Sequence, residues 1–172
     1  MRWYSILFVI VLSTFLTGCF EKRAAVVVPQ IEDAPKYLAK RHLQITGTPH
    51  LDMMGVHTWR SGSVGAGKSP SANPKQWRYV VPLTGKGWDK SQPIPCWVSF
   101  STNKEHVSAE AAALRRDLSG GSIVGINVDF PSRTVGALRG KSAWQSAIED
   151  AEARYGIRAD PRAPILSWKP GR

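Results

Sequence analysis

The 172-residue chain is 42% hydrophobic and carries 23 lysines and arginines against 13 aspartates and glutamates, which gives a formal net charge of +10. This apolar share is enough to fill a core, which argues against an intrinsically disordered chain, and the length suits one compact domain. Two cysteines exclude both a disulfide scaffold and a cysteine-rich zinc module.

The first 18 residues have the composition of a targeting segment. A single cation, Arg2, precedes an uncharged run at residues 3–18, and residues 3–16 are mostly large and apolar. A membrane-spanning helix needs about 20 apolar residues, so this run is short for a permanent span. It fits the hydrophobic region of a signal peptide, which we place at residues 1–18.

The four residues Leu16, Thr17, Gly18 and Cys19 resemble the lipobox of bacterial lipoproteins, in which a large apolar residue and two small ones precede the modified cysteine. The resemblance implies that cleavage leaves Cys19 as a lipid-modified N-terminus, because its thiol is the nucleophile for thioether attachment. Several acyl chains together anchor a protein stably, whereas a single chain binds a bilayer only marginally.

The residue after the cysteine bears on the location of the anchor. By analogy with Gram-negative lipoproteins, Phe20 in place of an aspartate favours the outer membrane, with the domain facing the periplasm. The alternative is an ordinary signal anchor in which Cys19 is incidental.

Residues 19–35 are predicted to form the lipidated N-terminus and a flexible tether. This segment contains Pro29 and Pro35, and its three consecutive valines are too few to build a core. The alternative is that residues 26–28 form an edge strand. A single globular domain is then expected at residues 36–172.

In the first half of this domain we predict a short helix near residues 35–43 and a long loop at residues 46–74, with one strand near residues 53–59. Apolar side chains alternate at residues 76–83, which is typical of a half-buried strand. Residues 95–100 predict a second strand, and the short connection between the two favours an antiparallel hairpin.

In the second half, apolar residues three and four apart predict a helix that Ser108 caps and Gly120 ends. A second helix of the same kind is expected between a cap at Ser142 and a stop at Gly156. A last short strand follows at residues 165–168.

Between these helices, alternating apolar side chains at residues 122–130 predict a central strand. Asn127 and Asp129 share one face of it, where we expect a solvated surface rather than a polar site. The elements together predict an α+β fold, a small mixed and mainly antiparallel sheet with two helices packed on one face.

Residues 62–69 fit the GxxxxGK[ST] pattern of a phosphate-binding loop. In such a site a buried strand leads in and a helix follows, whereas here Pro70 and Pro74 follow without apolar periodicity. We expect a flexible glycine-rich loop instead, and the sequence predicts no cofactor.

His50, Asp52 and His57 offer imidazole and carboxylate groups, which are suitable zinc ligands. Their spacing matches neither the helical HExxH pattern nor a zinc knuckle. Solvated loop residues are therefore the expected interpretation, and a metal site is the weaker one.

Cys96 is the only thiol that remains if Cys19 is acylated. A nucleophilic role would need a base such as His57 or His106 beside it and a lowered thiol pKa. Because Cys96 lies within a predicted strand, we expect a buried structural side chain. The alternative is a periplasmic, cell-wall-directed enzyme that uses Cys96 with a histidine.

Trp59 and Trp88 fall in the glycine-rich parts of the chain. Exposed indoles at such positions stack on sugars or anchor a partner protein, so a glycan-binding module is a further alternative. The opposing interpretation is that both side chains fold back over the core.

The excess of basic residues is spread along the chain, and no nucleic-acid-binding motif accompanies it. We therefore expect no nucleic-acid partner, and an anionic envelope surface is the simpler electrostatic partner. The leading hypothesis is a membrane-anchored envelope lipoprotein that binds or scaffolds a partner protein without catalysis. A component of a secretion or conjugation assembly, a surface-exclusion protein and an inhibitor all fit this description.

Overall fold

The computed structural model describes residues 24–60, 75–128 and 142–169. Within these ranges eight strands form one sheet, accompanied by two α-helices and two 3₁₀ helices. The strands are β1 (Val26–Val27), β2 (His42–Ile45), β3 (Thr48–Pro49), β4 (Gly55–Arg60), β5 (Lys75–Thr84), β6 (Cys96–Thr102), β7 (Ile123–Asn127) and β8 (Ile165–Ser167). The helices are α1 (Ser108–Ser119), α2 (Ala143–Tyr155) and the 3₁₀ helices Ile31–Tyr37 and Leu51–Met53.

The strand order across the sheet is β1-β2-β7-β8-β6-β5, and the outer edge of β5 pairs with both β3 and β4. The β1–β2 and β6–β8 pairs are parallel and all the other pairs are antiparallel. The predicted α+β class with a mixed, mainly antiparallel sheet is confirmed. So is the antiparallel β5–β6 hairpin, whose register runs from Trp77 opposite Thr102 to Leu83 opposite Cys96.

The two α-helices lie on opposite faces of this sheet, not on one face as predicted. On the α1 face, Ala113 and Leu114 of the helix pack in one core cluster with side chains such as Val81 of β5. On the α2 face, Ala147 packs in a second cluster with Val80. Because successive strand residues point to opposite faces, the sheet is the middle layer of three.

This arrangement explains a second difference from the sequence prediction. Strand β5 is buried on both faces from Tyr79 to Thr84, not half-buried. A run such as Tyr79, Val80 and Val81 has apolar side chains for both sides, which is typical of a strand covered by two layers.

The second α-helix has the ends that the sequence predicts. The Ser142 hydroxyl accepts a hydrogen bond from the Gln145 amide at 3.2 Å, and the Gln145 side chain accepts one from the Ser142 amide at 2.9 Å, which completes a capping box. Gly156 ends the helix with φ 65°, a left-handed conformation that favours glycine.

Helix α1 is confirmed in place but not in its cap. It ends at Gly120 as expected, whereas Ser108 is its first residue and Val107 precedes it without any side-chain capping bond. The predicted strand near residues 53–59 is confirmed as β4.

The N-terminal part of the described chain belongs to the folded domain. Strand β1 pairs with β2, and Val28, Ile31 and Ala34 are buried in the α1-face core. The prediction of a flexible tether is therefore wrong for residues 26–35, because these apolar side chains cover the edge of the core. The edge-strand alternative is the correct one, and residues 19–23 lie outside the described part.

One further difference concerns the secondary structure at residues 35–43. The helix predicted near residues 35–43 is replaced by the 3₁₀ helix Ile31–Tyr37 and by β2. Within the three described ranges, no helix is both long and apolar enough to cross a bilayer.

Candidate functional site

In strand β7, the face that the sequence predicts to be solvated is buried, and the predicted core face is largely exposed. Asn127 is buried, with 1% of its surface exposed, and its side-chain amide donates a hydrogen bond to the Leu38 carbonyl at 2.8 Å. The predicted solvated position of Asn127 is therefore wrong, because this amide holds the chain that leads from the 3₁₀ helix into β2. Asp129 lies outside the described residues.

The apolar side chains on the other face of β7 point away from any helix. Val124 and Ile126 expose 58% and 42% of their surface. Helix α2 packs over β4 and β5, and the exposure of these two side chains shows that it does not reach β7. The α2 face of the sheet is therefore divided into a covered half and an open half.

The register of β1, β2 and β7 aligns the side chains of the open half into one surface, because residues paired across strands share a face. We call this surface the open face. Its two rows are Val27–Gln44–Val124 and His42–Ile126–Ser167.

All the large hydrophobic side chains that are exposed within the described ranges, Val27, Val124 and Ile126, lie on the open face. Val27 is the most exposed of them, at 60%. Single exposed apolar residues are ordinary, but their concentration on one uncovered sheet surface is typical of an interaction site.

A groove of about 730 Å³ runs along this surface. His42, Val124, Ile126, Ser167 and Lys169 are among its lining residues. Residues of β2, β7 and β8 line it together with Asp117 of α1 and with Trp168 and Lys169, which follow β8.

Polar groups at the edge of the groove set its charge. The Gln44 amide donates to the Ser122 hydroxyl at 2.8 Å, which holds this polar side chain within the apolar row. Asp117 accepts a hydrogen bond from the Trp168 indole at 3.2 Å. The exposed cation Lys169 lines the groove, and the exposed Arg41 directly precedes His42. The groove lining therefore carries one cation, Lys169, and one carboxylate, Asp117.

Cys96 is fully buried, and its thiol makes one weak contact of 3.7 Å with the Trp97 carbonyl. Burial raises the pKa of this thiol because a thiolate would lose its hydration. Cys96 belongs to the α1-face core, whereas His57 is on the α2 face opposite Arg78, and His106 is exposed before α1. The structure gives this thiol neither base nor access.

The metal candidates are not brought together. The His50 imidazole is 2.7 Å from the Thr84 hydroxyl, and burial lowers its pKa. His57 is stacked on Trp59. In the part of the chain that the structure describes, no group of three or more histidine, cysteine, aspartate or glutamate side chains is placed to hold a metal ion.

The two candidate tryptophans are both partly buried. Trp88 donates its indole N–H to the Gln92 carbonyl at 3.2 Å and contacts the His50 ring. Trp59 packs on His57 and on the Arg78 guanidinium. Each indole therefore already has a partner within the domain. The phosphate-binding-loop pattern at residues 62–69 and the lipobox at residues 16–19 both lie outside the described part.

The open face differs from the sequence prediction, since apolar alternation in β7 predicts a core strand. One signal was present in the three consecutive valines at residues 26–28, because a strand with such a run directs apolar side chains to both faces. In the structure Val28 is buried and Val27 is exposed.

Comparison with models of protein families finds none that matches this chain, and comparisons with curated proteins and with solved structures find no match either.

Proposed function

We propose that this protein is a lipid-anchored lipoprotein of the bacterial cell envelope whose domain binds a partner protein without catalysis, through the open face. The observation that carries the proposal is the concentration of Val27, Val124 and Ile126 on a sheet surface that no described helix covers. A surface of this kind gains free energy when a second surface covers it, because apolar area is then removed from water.

The chemistry of the open face defines the partner. Its centre is apolar, and the charged residues Lys169 and Asp117 line the groove beside it. The complementary surface of the partner protein has an apolar centre and a polar rim with an acidic group opposite Lys169 and a basic group opposite Asp117. Full burial of a valine or isoleucine side chain contributes about 1.5–3 kcal/mol, so three partly exposed ones supply a useful fraction of a micromolar affinity.

The proposed anchor places this surface near a membrane. The first residue of β1, Val26, lies seven positions after Cys19, and such a segment spans at most about 25 Å when extended. Strand β1 is both the edge of the sheet and part of the open face. The partner is therefore expected in the same envelope layer, where confinement raises the effective concentration of both proteins. Phe20 after the proposed lipid site favours the outer membrane, facing the periplasm.

The anchor is tested with wild type and Cys19→Ser by intact mass and membrane fractionation. We expect the wild-type chain to lack residues 1–18, to carry acyl chains and to sediment with membranes, while the variant keeps its full length. If both chains keep residues 1–18 and fractionate alike, Cys19 is not an anchor.

The open face is tested by placing a photo-crosslinking amino acid at Ile126 in the cell, with the exposed Arg116 on α1 as the matched control position. We expect one envelope protein to be crosslinked from position 126 and not from position 116, and Val124→Lys to abolish the product. A product that contains only a second copy of the chain, or only lipid, would overturn the assignment of a partner protein.

A further inference from the structure

Arg78 lies against two indole rings on the α2 face of the sheet. Its guanidinium carbon is 4.1 Å from the ring centroid of Trp144 and 4.7 Å from that of Trp59. Trp59 belongs to β4 and Trp144 to the first turn of α2, so sheet and helix together fix the position of the guanidinium. Such contacts orient a cation but provide no acceptor for its N–H groups.

Among the residues that the structure describes, few acceptors are placed to receive the hydrogen-bond donors of Arg78. A guanidinium has five N–H groups. Its Nε donates to the Ser101 hydroxyl at 3.3 Å, and this is the one hydrogen bond from its side chain within the described ranges. The four N–H groups on the two terminal nitrogens form the fork that binds a carboxylate or a phosphate in bidentate geometry.

The charge of Arg78 is also unbalanced. The ion pairs within the described residues join Lys36 to Asp33 and Arg154 to Asp150, and none involves Arg78. The side chain is partly buried, and burial lowers the pKa of its guanidinium, although the group remains protonated at neutral pH. A partly dehydrated cation without a carboxylate attracts an anion more strongly than a cation in water does.

Two neighbouring groups add a hydrogen-bonding imidazole and positive potential at the same place. His57 is paired with Arg78 across β4 and β5, so its imidazole lies on the same face. Trp144 is the second residue of α2, whose N-terminus carries the positive end of the helix dipole.

We propose that Arg78, His57 and the first turn of α2 form a binding site for an oxyanion, a carboxylate or phosphate group. This site is separate from the open face and does not depend on the proposed function. Free phosphate and the phosphate of a lipid headgroup present the same chemistry to the guanidinium.

The test is a titration of the full chain in non-ionic detergent, followed by NMR of the indole N–H signals of Trp59 and Trp144. Inorganic phosphate and acetate are added at constant ionic strength against chloride, and a third titration adds phosphatidylglycerol to the micelles. We expect saturable shifts of both signals with at least one oxyanion. Saturation with phosphate assigns the soluble ion as ligand, and saturation only with phosphatidylglycerol assigns the headgroup. Shifts that match those in chloride overturn the proposal.

Matched variants separate the site from general electrostatics. Arg78→Gln and Lys75→Gln remove the same charge from the same strand, but Lys75 lies over Trp77 on the other face. We expect the oxyanion concentration at half-saturation to rise about tenfold in Arg78→Gln and less than about twofold in Lys75→Gln. Equal effects would overturn the proposal. Should Arg78→Gln fail to fold, Arg78→Lys keeps the charge without the fork, and an unchanged half-saturation concentration in that variant would overturn it as well.

Discussion

The covered and the open halves of the α2 face carry the same kinds of apolar side chain in two different environments. Under α2, Val80 of β5 is fully buried, whereas Val124 of β7 is mostly exposed on the same face of the same sheet. The covered half contributes to the stability of the domain, and the open half is available for binding. An apolar strand residue therefore indicates a core only where a second layer covers it.

The largest loss of stability is expected at Gly55, where the backbone of α2 lies against β4. A Cβ atom on Gly55 would lie 1.9 Å from the Ala147 carbonyl oxygen, which is helix backbone and cannot rotate away. Gly55→Ala is expected to lower the free energy of unfolding by about 3 kcal/mol or more, since the helix has to move.

Thermal or urea unfolding measures this loss, with Gly120→Ala as the control. At Gly120 the nearest atom to an added Cβ is 3.3 Å away, so a change within about 0.5 kcal/mol is expected. Equal effects at the two positions would show that α2 is not held tightly on β4.

The second prediction compares how much the covered half and the open half contribute to the free energy of unfolding. Val80→Ser and Val124→Ser make the same change on the same face of the sheet. We expect Val80→Ser to cost about 3 kcal/mol, because it leaves a hydroxyl and a cavity in the core. Val124→Ser is expected to change the free energy of unfolding by less than about 0.5 kcal/mol.

Urea unfolding of both variants checks this comparison. A loss above about 2 kcal/mol in Val124→Ser would mean that the open half is covered within the chain, and the binding proposal would lose its basis.

The smallest loss of stability is expected at the N-terminus of α2, the helix that covers one half of this sheet face. Ser142→Ala removes the capping hydroxyl of α2 and is expected to cost about 1 kcal/mol. Ser108→Ala at the start of α1 is the matched control, because Ser108 makes no capping bond, and its effect is expected to be near zero. Circular dichroism during thermal unfolding distinguishes the two, and a reversed order would contradict the observed caps.

The features that the sequence predicted are those with local causes. Ser142 and Gly156 fix the ends of α2 through bonds within a few residues, and the β5–β6 hairpin follows from a short connection. The orientation of β7 has no local cause, since alternation gives two faces and only the position of α2 decides which one is covered. The pairing of β1 with β2 is likewise set by a neighbour some 17 residues away in sequence.

In the candidate site, too, only the features with local causes could be predicted from the sequence. Burial of Cys96 could be anticipated from its strand context, whereas the open face and the contacts of Arg78 with Trp59 and Trp144 depend on tertiary packing. Sequence spacing carries no information on either, because these residues come from separate strands and a helix.

The position of β8 has a consequence for folding during synthesis. It is the last strand in chain order, yet it lies between β7 and β6 and joins the two halves of the sheet. Until Ile165–Ser167 have been made, the earlier strands form two separate groups that share no sheet edge. A growing chain therefore lacks the middle of its sheet until this strand has been made, and long-range pairing of this kind is slow to form.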